Sequence, residues 1–246
     1  MKSTSQSEED FLKNYDPSAF KRPSTSIDTA IFTVLDGELH VLTVKRAEHP
    51  FKDMWSLVGG FIDLEKDNDI EATAKRKLEE KTGVKTPYLE QYGTIGGKKR
   101  DPRGWSVTTI YFALIPCHEV KLQAGKGAVD IKWSKVSGGK VKDKLAFDHA
   151  EILAKCTERL RSKVLYTSLP VYLMPADFTL GELQKVYEII LGKKIDHKSF
   201  RRRILSTDIL EETAEMRHEG KRPAQLYRHK KAPHPHFFVR NIEGAS

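Results

Sequence analysis

The sequence predicts an α+β fold in two units, a mixed sheet with flanking helices followed by a smaller, helical unit that closes in a hairpin. Three observations carry this. Alternating β-branched runs dominate the first half. A glycine-rich break there leads straight into a run of helix formers. After about Ser168 the proline-punctuated "LPVYLMPADF" introduces a segment governed by helix signals.

Composition bounds the function. The chain of 246 residues is 39% hydrophobic and 31% charged, as in globular proteins. It contains no apolar run of roughly 18 residues, and the polar start "MKSTSQSEEDFLKNYD" has no signal-peptide core, so a soluble, cytoplasmic protein without a membrane partner is expected. Cys117 and Cys156 stand apart and make no CxxC, which argues against a disulfide framework or a cysteine metal site. A net charge of +8 points mildly to polyanions.

The elements follow in order. Residues 1–24 read as an N-terminal arm running into "KRPSTS". In "IDTAIFTVLDGELHVLTVKRAEH" two alternating runs meet at Asp36-Gly37, a dipeptide that supplies the positive φ angles of a hairpin turn. "LVGGF" is expected to break the chain as a glycine loop, and "DIEATAKRKLEEKTG" to form a helix capped by Gly83. Strands are expected at "YLEQYGTIGG", "SVTTIYFALIPC" and "DIKWSKV", then a helix in "FDHAEILAKCTERLRSKV". These give a first domain over residues 25–164 and a second over 165–246.

In the second domain, Thr179 and Glu182 fit a capping box, and Leu180, Leu183, Val186, Tyr187, Ile190 and Leu191 form one apolar face up to Gly192. Asp196 can cap a further helix, "HKSFRRRIL". Its Phe200 and Ile204 face the core, while His197, Lys198, Arg201 and Arg202 point outward, with Ser199 and Arg203 on the same short helix. A hairpin around Gly220 and Pro223 carries Lys221, Arg222, Arg228, Lys230 and Lys231, and "HFFVRN" reads as a last strand. Helix, turn, basic helix and hairpin make a winged helix-turn-helix pattern, with double-stranded DNA as the expected partner. The bland alternative is a solvated basic face. The histidines of this region, His197, His218, His229, His234 and His236, match no common ligand spacing, so no metal site is expected.

The segment "LVGGFIDLEKDNDIEATAKRKLEEKTGV" resembles the Nudix box, the loop-helix element of hydrolases that cleave a diphosphate linked to another moiety. Arg76, Leu78, Glu80, Gly83 and Val84 fall in register with that box, and Gly60 supplies its leading glycine two residues early. "KRAEHPFKDMWSLVGGF" and "RDPRGWSV" are similar to the ADP-ribose pyrophosphatase branch. The resemblance covers roughly residues 25–160 and implies a Nudix-type mixed sheet with flanking helices.

The departures matter equally. In the family, helix glutamates gather divalent cations that neutralise the diphosphate. Here two of those positions are Lys77 and Lys81, four apart on one helix face. The insertion in "FIDLEKDNDIE" puts Lys66 or Asn68 where an earlier glutamate belongs, depending on which end anchors the count. No catalytic residue, metal or cofactor is therefore expected, while direct diphosphate binding by Lys77 and Lys81 is. Beside them Glu80, Arg46, Trp55, Arg100, Asp101, Arg103 and Trp105 are candidate ligand residues, since arginine suits phosphate and tryptophan suits an adenine ring. "RDPRGWSV" also reads as a plain hairpin turn with a salt bridge.

A degenerate Nudix box followed by "FTLGELQKVYEIILGKKIDHKSFRRRIL" is similar to the Nudix-related transcriptional regulators of NAD metabolism, the NrtR family. That resemblance implies a homodimeric repressor that binds a palindromic operator, and a Nudix domain that binds ADP-ribose or a related NAD-derived nucleotide. The alternative is an active Nudix hydrolase of ADP-ribose pyrophosphatase type, with acids recruited from the inserted loop and an appended domain.

Overall fold

A computed structural model describes residues 7–84, 88–125, 127–218, 223–230, 234–239 and 242. The first domain is built on a seven-stranded sheet. Strand β1 (Ser24–Leu35) turns through Asp36 and Gly37, at φ 51° and 75°, into antiparallel β2 (Glu38–Arg46). Strands β3 (Trp55–Ser56) and β4 (Val58–Phe61) follow, then helix α2 (Ile70–Thr82), β5 (Tyr88–Gly97), β6 (Ser106–Leu114), β7 (Ala128–Lys135) and helix α3 (His149–Tyr166). The main order is β3-β2-β1-β6-β5, with β4 paired to β1 and β7 to β2. The β1–β6 pairing is parallel and the other strand pairings among the described residues are antiparallel, which makes the sheet mixed as expected.

The expected glycine loop is a correction, because "VGGF" is strand β4. The C-terminal part of β1 is taken by β2, whereas residues Ser26 to Thr29 leave a ladder edge that Val58 to Phe61 complete. Glycine is required by the packing. A Cβ on Gly59 would lie 2.4 Å from the Ile27 carbonyl oxygen and 2.5 Å from an Asp28 carboxylate oxygen. Helix α2 then starts at Asp69, whose carboxylate accepts from the Ala72 N–H, and ends at Gly83 with φ 71°.

The second domain contains β8 (Asp177–Thr179), α4 (Leu180–Leu191), α5 (His197–Leu205), β9 (Leu210–Arg217) and β10 (Ala224–His229). Its sheet runs β8-β10-β9, all antiparallel. The capping box at Thr179 and Glu182 forms, and Gly192 closes α4 with φ 73°. Phe200 and Ile204 are fully buried, each stabilising the helix pair by roughly 1.5–3 kcal/mol. Helix, turn, helix and two-stranded wing are present.

The proline-punctuated connector is buried: Leu169 and Val171 lie in one core that runs from Phe112 of the first sheet to Phe178 and Leu183 of the second domain. Apolar side chains on both sides close over it, so burial outweighs the proline signal. The expected division after residue 164 falls within the last turn of α3. "HFFVRN" forms no strand among the described residues, only a bridge between Phe237 and Thr167. The arm holds a short helix, α1 (Glu8–Asn14), which carries exposed Phe11 and Leu12 and is followed by exposed Tyr15 and Phe20.

Candidate functional site

The ends of β1, β4 and β6 and the loops after β2 and β5 enclose a cleft of about 300 Å³. Arg46, Lys81, Arg100, Asp101 and Arg103 all line it. Arg46 is half-buried; its Nε donates to the Pro50 carbonyl at 2.8 Å, and its guanidinium lies 4.8 Å from the Phe147 ring centroid. Burial and the neighbouring Arg103 charge push the Arg46 guanidinium below its ordinary value. Two like charges held in one cleft favour an anion between them.

Arg103 is set by its own hairpin. Nη2 donates to Asp101 at 2.7 Å, which holds the Asp101 carboxyl below the usual range, and the guanidinium stands 5.1 Å from the Phe61 ring centroid. The "RDPRG" turn thus contains the salt bridge of the bland reading and also presents Arg103 to the cleft.

Arg100 behaves differently. It is nearly buried and donates to Asp28 at 3.1 Å and to Asp148 at 3.0 Å and 3.1 Å. His149 completes the group, its Nδ1 accepting from the Leu57 N–H at 2.9 Å and its Nε2 lying 3.3 Å from Asp28. Nδ1 as acceptor leaves the ring hydrogen on Nε2, facing the carboxylate. Burial works to raise the Asp28 carboxyl, but His149, Thr108 and Arg100 outweigh it and hold it below the ordinary value.

The lysine pair was expected as one cationic patch, and here the structure differs. Lys77 donates to Glu80 at 3.1 Å beneath Gly60, one turn along the same helix. Lys81 alone reaches the cleft. It is buried, its ammonium bonds the Ala124 carbonyl, and burial lowers it from the ordinary lysine value. Glu80 is shared by Arg76 and Lys77, and Arg76 is also bound to Asp67. Among the described residues no group of three His, Cys, Asp or Glu side chains is placed to hold a metal ion. Glu80, engaged by two cations, has its carboxylate oxygens already occupied by Arg76 and Lys77.

Trp55, Lys77, Glu80 and Trp105 do not line the cleft. Trp55 packs on the core under Lys132, whose Nζ is 4.0 Å from its ring centroid, and half-exposed Trp105 lies against Gly96. The aromatic residues that do line it, Phe61 and Phe147, were not singled out from sequence. The "VGGF" ending was the available signal for Phe61; Phe147 carries none.

On α5, Lys198, Arg201 and Arg202 are exposed. His197 contacts Gln184 at 2.8 Å, the Ser199 N–H is held by Asp196, and Arg203 is half-buried with its Nη1 enclosed. Arg228 and Lys230 do not project from a free hairpin. They sit at the base of the wing in ion pairs, Arg228 with Asp177 at 2.7 Å and Lys230 with Asp208 at 2.6 Å. Lys221, Arg222 and Lys231 lie outside the described residues.

Fold and site together define a two-domain protein, a Nudix-type domain with a cationic cleft joined to a winged helix-turn-helix. Residues 25–156 match the NUDIX domain family, and residues 170–229 match the family described as the NrtR DNA-binding winged helix domain. The chain is 46% identical over 239 residues to the ADPR responsive transcriptional repressor NtrR of Acinetobacter baylyi, covering 96% of this chain and 94% of that one. The crystal structure of Shewanella oneidensis NrtR complexed with a 27mer DNA superposes with a TM-score of 0.81 at 43% identity, over 88% of this chain and 98% of that one. The NUDIX domain of the same protein complexed with ADP ribose matches at TM-score 0.59 and 43% identity, over 63% of this chain and 99% of that one. This chain belongs to the NrtR family.

Proposed function

We propose that this protein is a transcriptional repressor of NAD-metabolism genes whose DNA affinity responds to ADP-ribose or a related NAD-derived nucleotide. The observation that carries the proposal is the joining, in one chain, of a cleft where Arg46 and Arg103 converge with an exposed basic face on α5. A diphosphate fits between the two arginines, with Lys81 at the cleft wall and Phe147 or Phe61 against a ring. Lys198, Arg201 and Arg202 read base edges in the major groove, and Lys221 and Arg222, which follow β9 in the sequence, meet phosphates. A homodimer places two such helices on a palindromic operator in the cytoplasm. The Nudix domain is a binding domain and not a hydrolase, because Lys77 and Lys81 replace carboxylates and Glu80 is neutralised by Arg76 and Lys77. No helix among the described residues is long and apolar enough to cross a membrane.

The deciding experiment is a salt-controlled titration of duplex DNA with the full chain, with and without ADP-ribose. Affinity for a duplex enriched from a random pool should exceed that for random DNA and should change on adding ADP-ribose. Equal affinity for both duplexes, or indifference to ADP-ribose at millimolar concentration, overturns the reading.

A further inference from the structure

We infer that helix α3 is the strut through which occupancy of the cleft reaches the DNA-reading helix α5, an inference that rests on the ligand-responsive reading above. The helix has 18 residues, about 27 Å of rigid rise, and its two ends belong to different sites.

At the N-terminal end, Asp148 is the N-cap and His149 the first residue. Both are tied to the cleft, Asp148 through two bonds from Arg100 and His149 through the Leu57 N–H and Asp28. Arg100 divides its donors between Asp28 and Asp148. An anion entering beside Arg46 and Arg103 competes with these carboxylates for Arg100, so occupancy alters the hold on the start of α3.

At the C-terminal end, the carbonyl of the C-cap residue Thr167 accepts from the Tyr187 hydroxyl at 2.9 Å, and Arg161 Nε donates to the Ile190 carbonyl at 3.2 Å. Both contacts lie on α4. The Tyr187 ring is fully buried and meets Phe200 of α5 edge-on, with centroids 5.2 Å apart. A continuous chain of contacts therefore runs from Arg100 through Asp148, along α3, to Thr167, Tyr187 and Phe200. Packed side chains of this kind transmit a displacement, because a close-packed interior has little room to absorb it.

The test softens the strut without touching either end. Glu158 and Ser162 are exposed on α3 and take part in neither contact set. In the full chain, Glu158→Gly with Ser162→Gly is compared with Glu158→Ala with Ser162→Ala. For each, the affinity for a duplex enriched by the wild-type protein is measured with and without ADP-ribose, and ADP-ribose affinity is measured alone by calorimetry. The glycine pair should keep both separate affinities within about twofold while its coupling ratio falls at least threefold, from a wild-type ratio expected in the range of roughly 5 to 150. The alanine pair should keep the wild-type ratio. A glycine pair that couples like wild type overturns the inference. If glycine perturbs the separate affinities, Tyr187→Phe decides: it removes one hydroxyl, and undiminished coupling overturns the strut. Wild-type protein that binds both ligands with a ratio of one refutes the ligand-responsive reading itself, and the strut with it.

Discussion

Arg76 holds Asp67 in a two-point grip, Nε to Oδ1 at 2.7 Å and Nη2 to Oδ2 at 2.6 Å, and the Asp67 side chain is almost inaccessible to water. The inserted loop therefore supplies an acid to the box helix, but as a structural clamp rather than as a metal ligand. Arg76 holds the Asp67 carboxyl far below its usual range against the opposing effect of burial. A depressed folded-state value stabilises the fold above the unfolded-chain value of about 3.9, and that stabilisation fades as pH falls further towards the folded one. Asp67→Asn should cost on the order of 2 kcal/mol at neutral pH. The gap between wild type and variant should begin to narrow below about pH 4 and be smaller at pH 3 than at pH 7, as read by urea unfolding at pH 7, 5 and 3. A gap unchanged at pH 3 contradicts the assignment.

For the ligand, Arg46→Ala and Arg103→Ala should each weaken ADP-ribose by about 1.5–3 kcal/mol, tenfold or more, with little change in melting temperature for Arg46→Ala. Phe147→Ala should cost more affinity than Trp105→Ala, since Phe147 lines the cleft and Trp105 does not. Calorimetry on the four variants checks this. Arg100→Ala should instead lower thermal stability, because it strands Asp28 and Asp148 without their shared partner.

For DNA, Arg201→Ala or Arg202→Ala should remove roughly 1–3 kcal/mol on the preferred duplex and shrink the preference over random DNA. Lys221→Ala or Arg222→Ala should weaken both duplexes alike and flatten the log affinity against log salt plot by about one unit per lost contact in each bound subunit. Arg228→Ala should flatten it less, because Asp177 already offsets that charge. Titrations at several salt concentrations separate the three sets.

Turnover of ADP-ribose with magnesium should stay far below about 1 per second, the low end for working enzymes. Release of the monophosphate products measures it. Restoring glutamate at Lys77 and Lys81 need not create activity, since Asp67 stays engaged by Arg76.

Much of this molecule was legible in the sequence because its signals are local. The Asp36-Gly37 turn, the Gly83 and Gly192 caps and the Thr179 to Glu182 box each depend on residues within a turn of one another. What was missed depends on distant partners. Val58 to Phe61 became a strand because β1 offered an edge to it, and Leu169 to Leu173 became core because two domains close over it. The same holds at the site. Arginine positions in the cleft followed from the resemblance of "KRAEHPFKDMWSLVGGF" and "RDPRGWSV" to the ADP-ribose pyrophosphatase branch, but the engagement of Lys77 by Glu80, of Arg228 by Asp177 and of Lys230 by Asp208 is set by packing and tertiary pairing.

The buried connector also restricts how the two halves can move. A tether of exposed residues would let one half swing freely about the other, but Leu169, Val171 and Leu173 are wedged among side chains from both. With no swivel, relative motion takes the form of shear, small sliding of packed helices by an ångström or two. Such motion would tilt α5 by degrees rather than free it, and in two copies set on one duplex as proposed above a tilt of that size would change the distance between the two α5 helices, to which a duplex of fixed helical repeat is acutely sensitive.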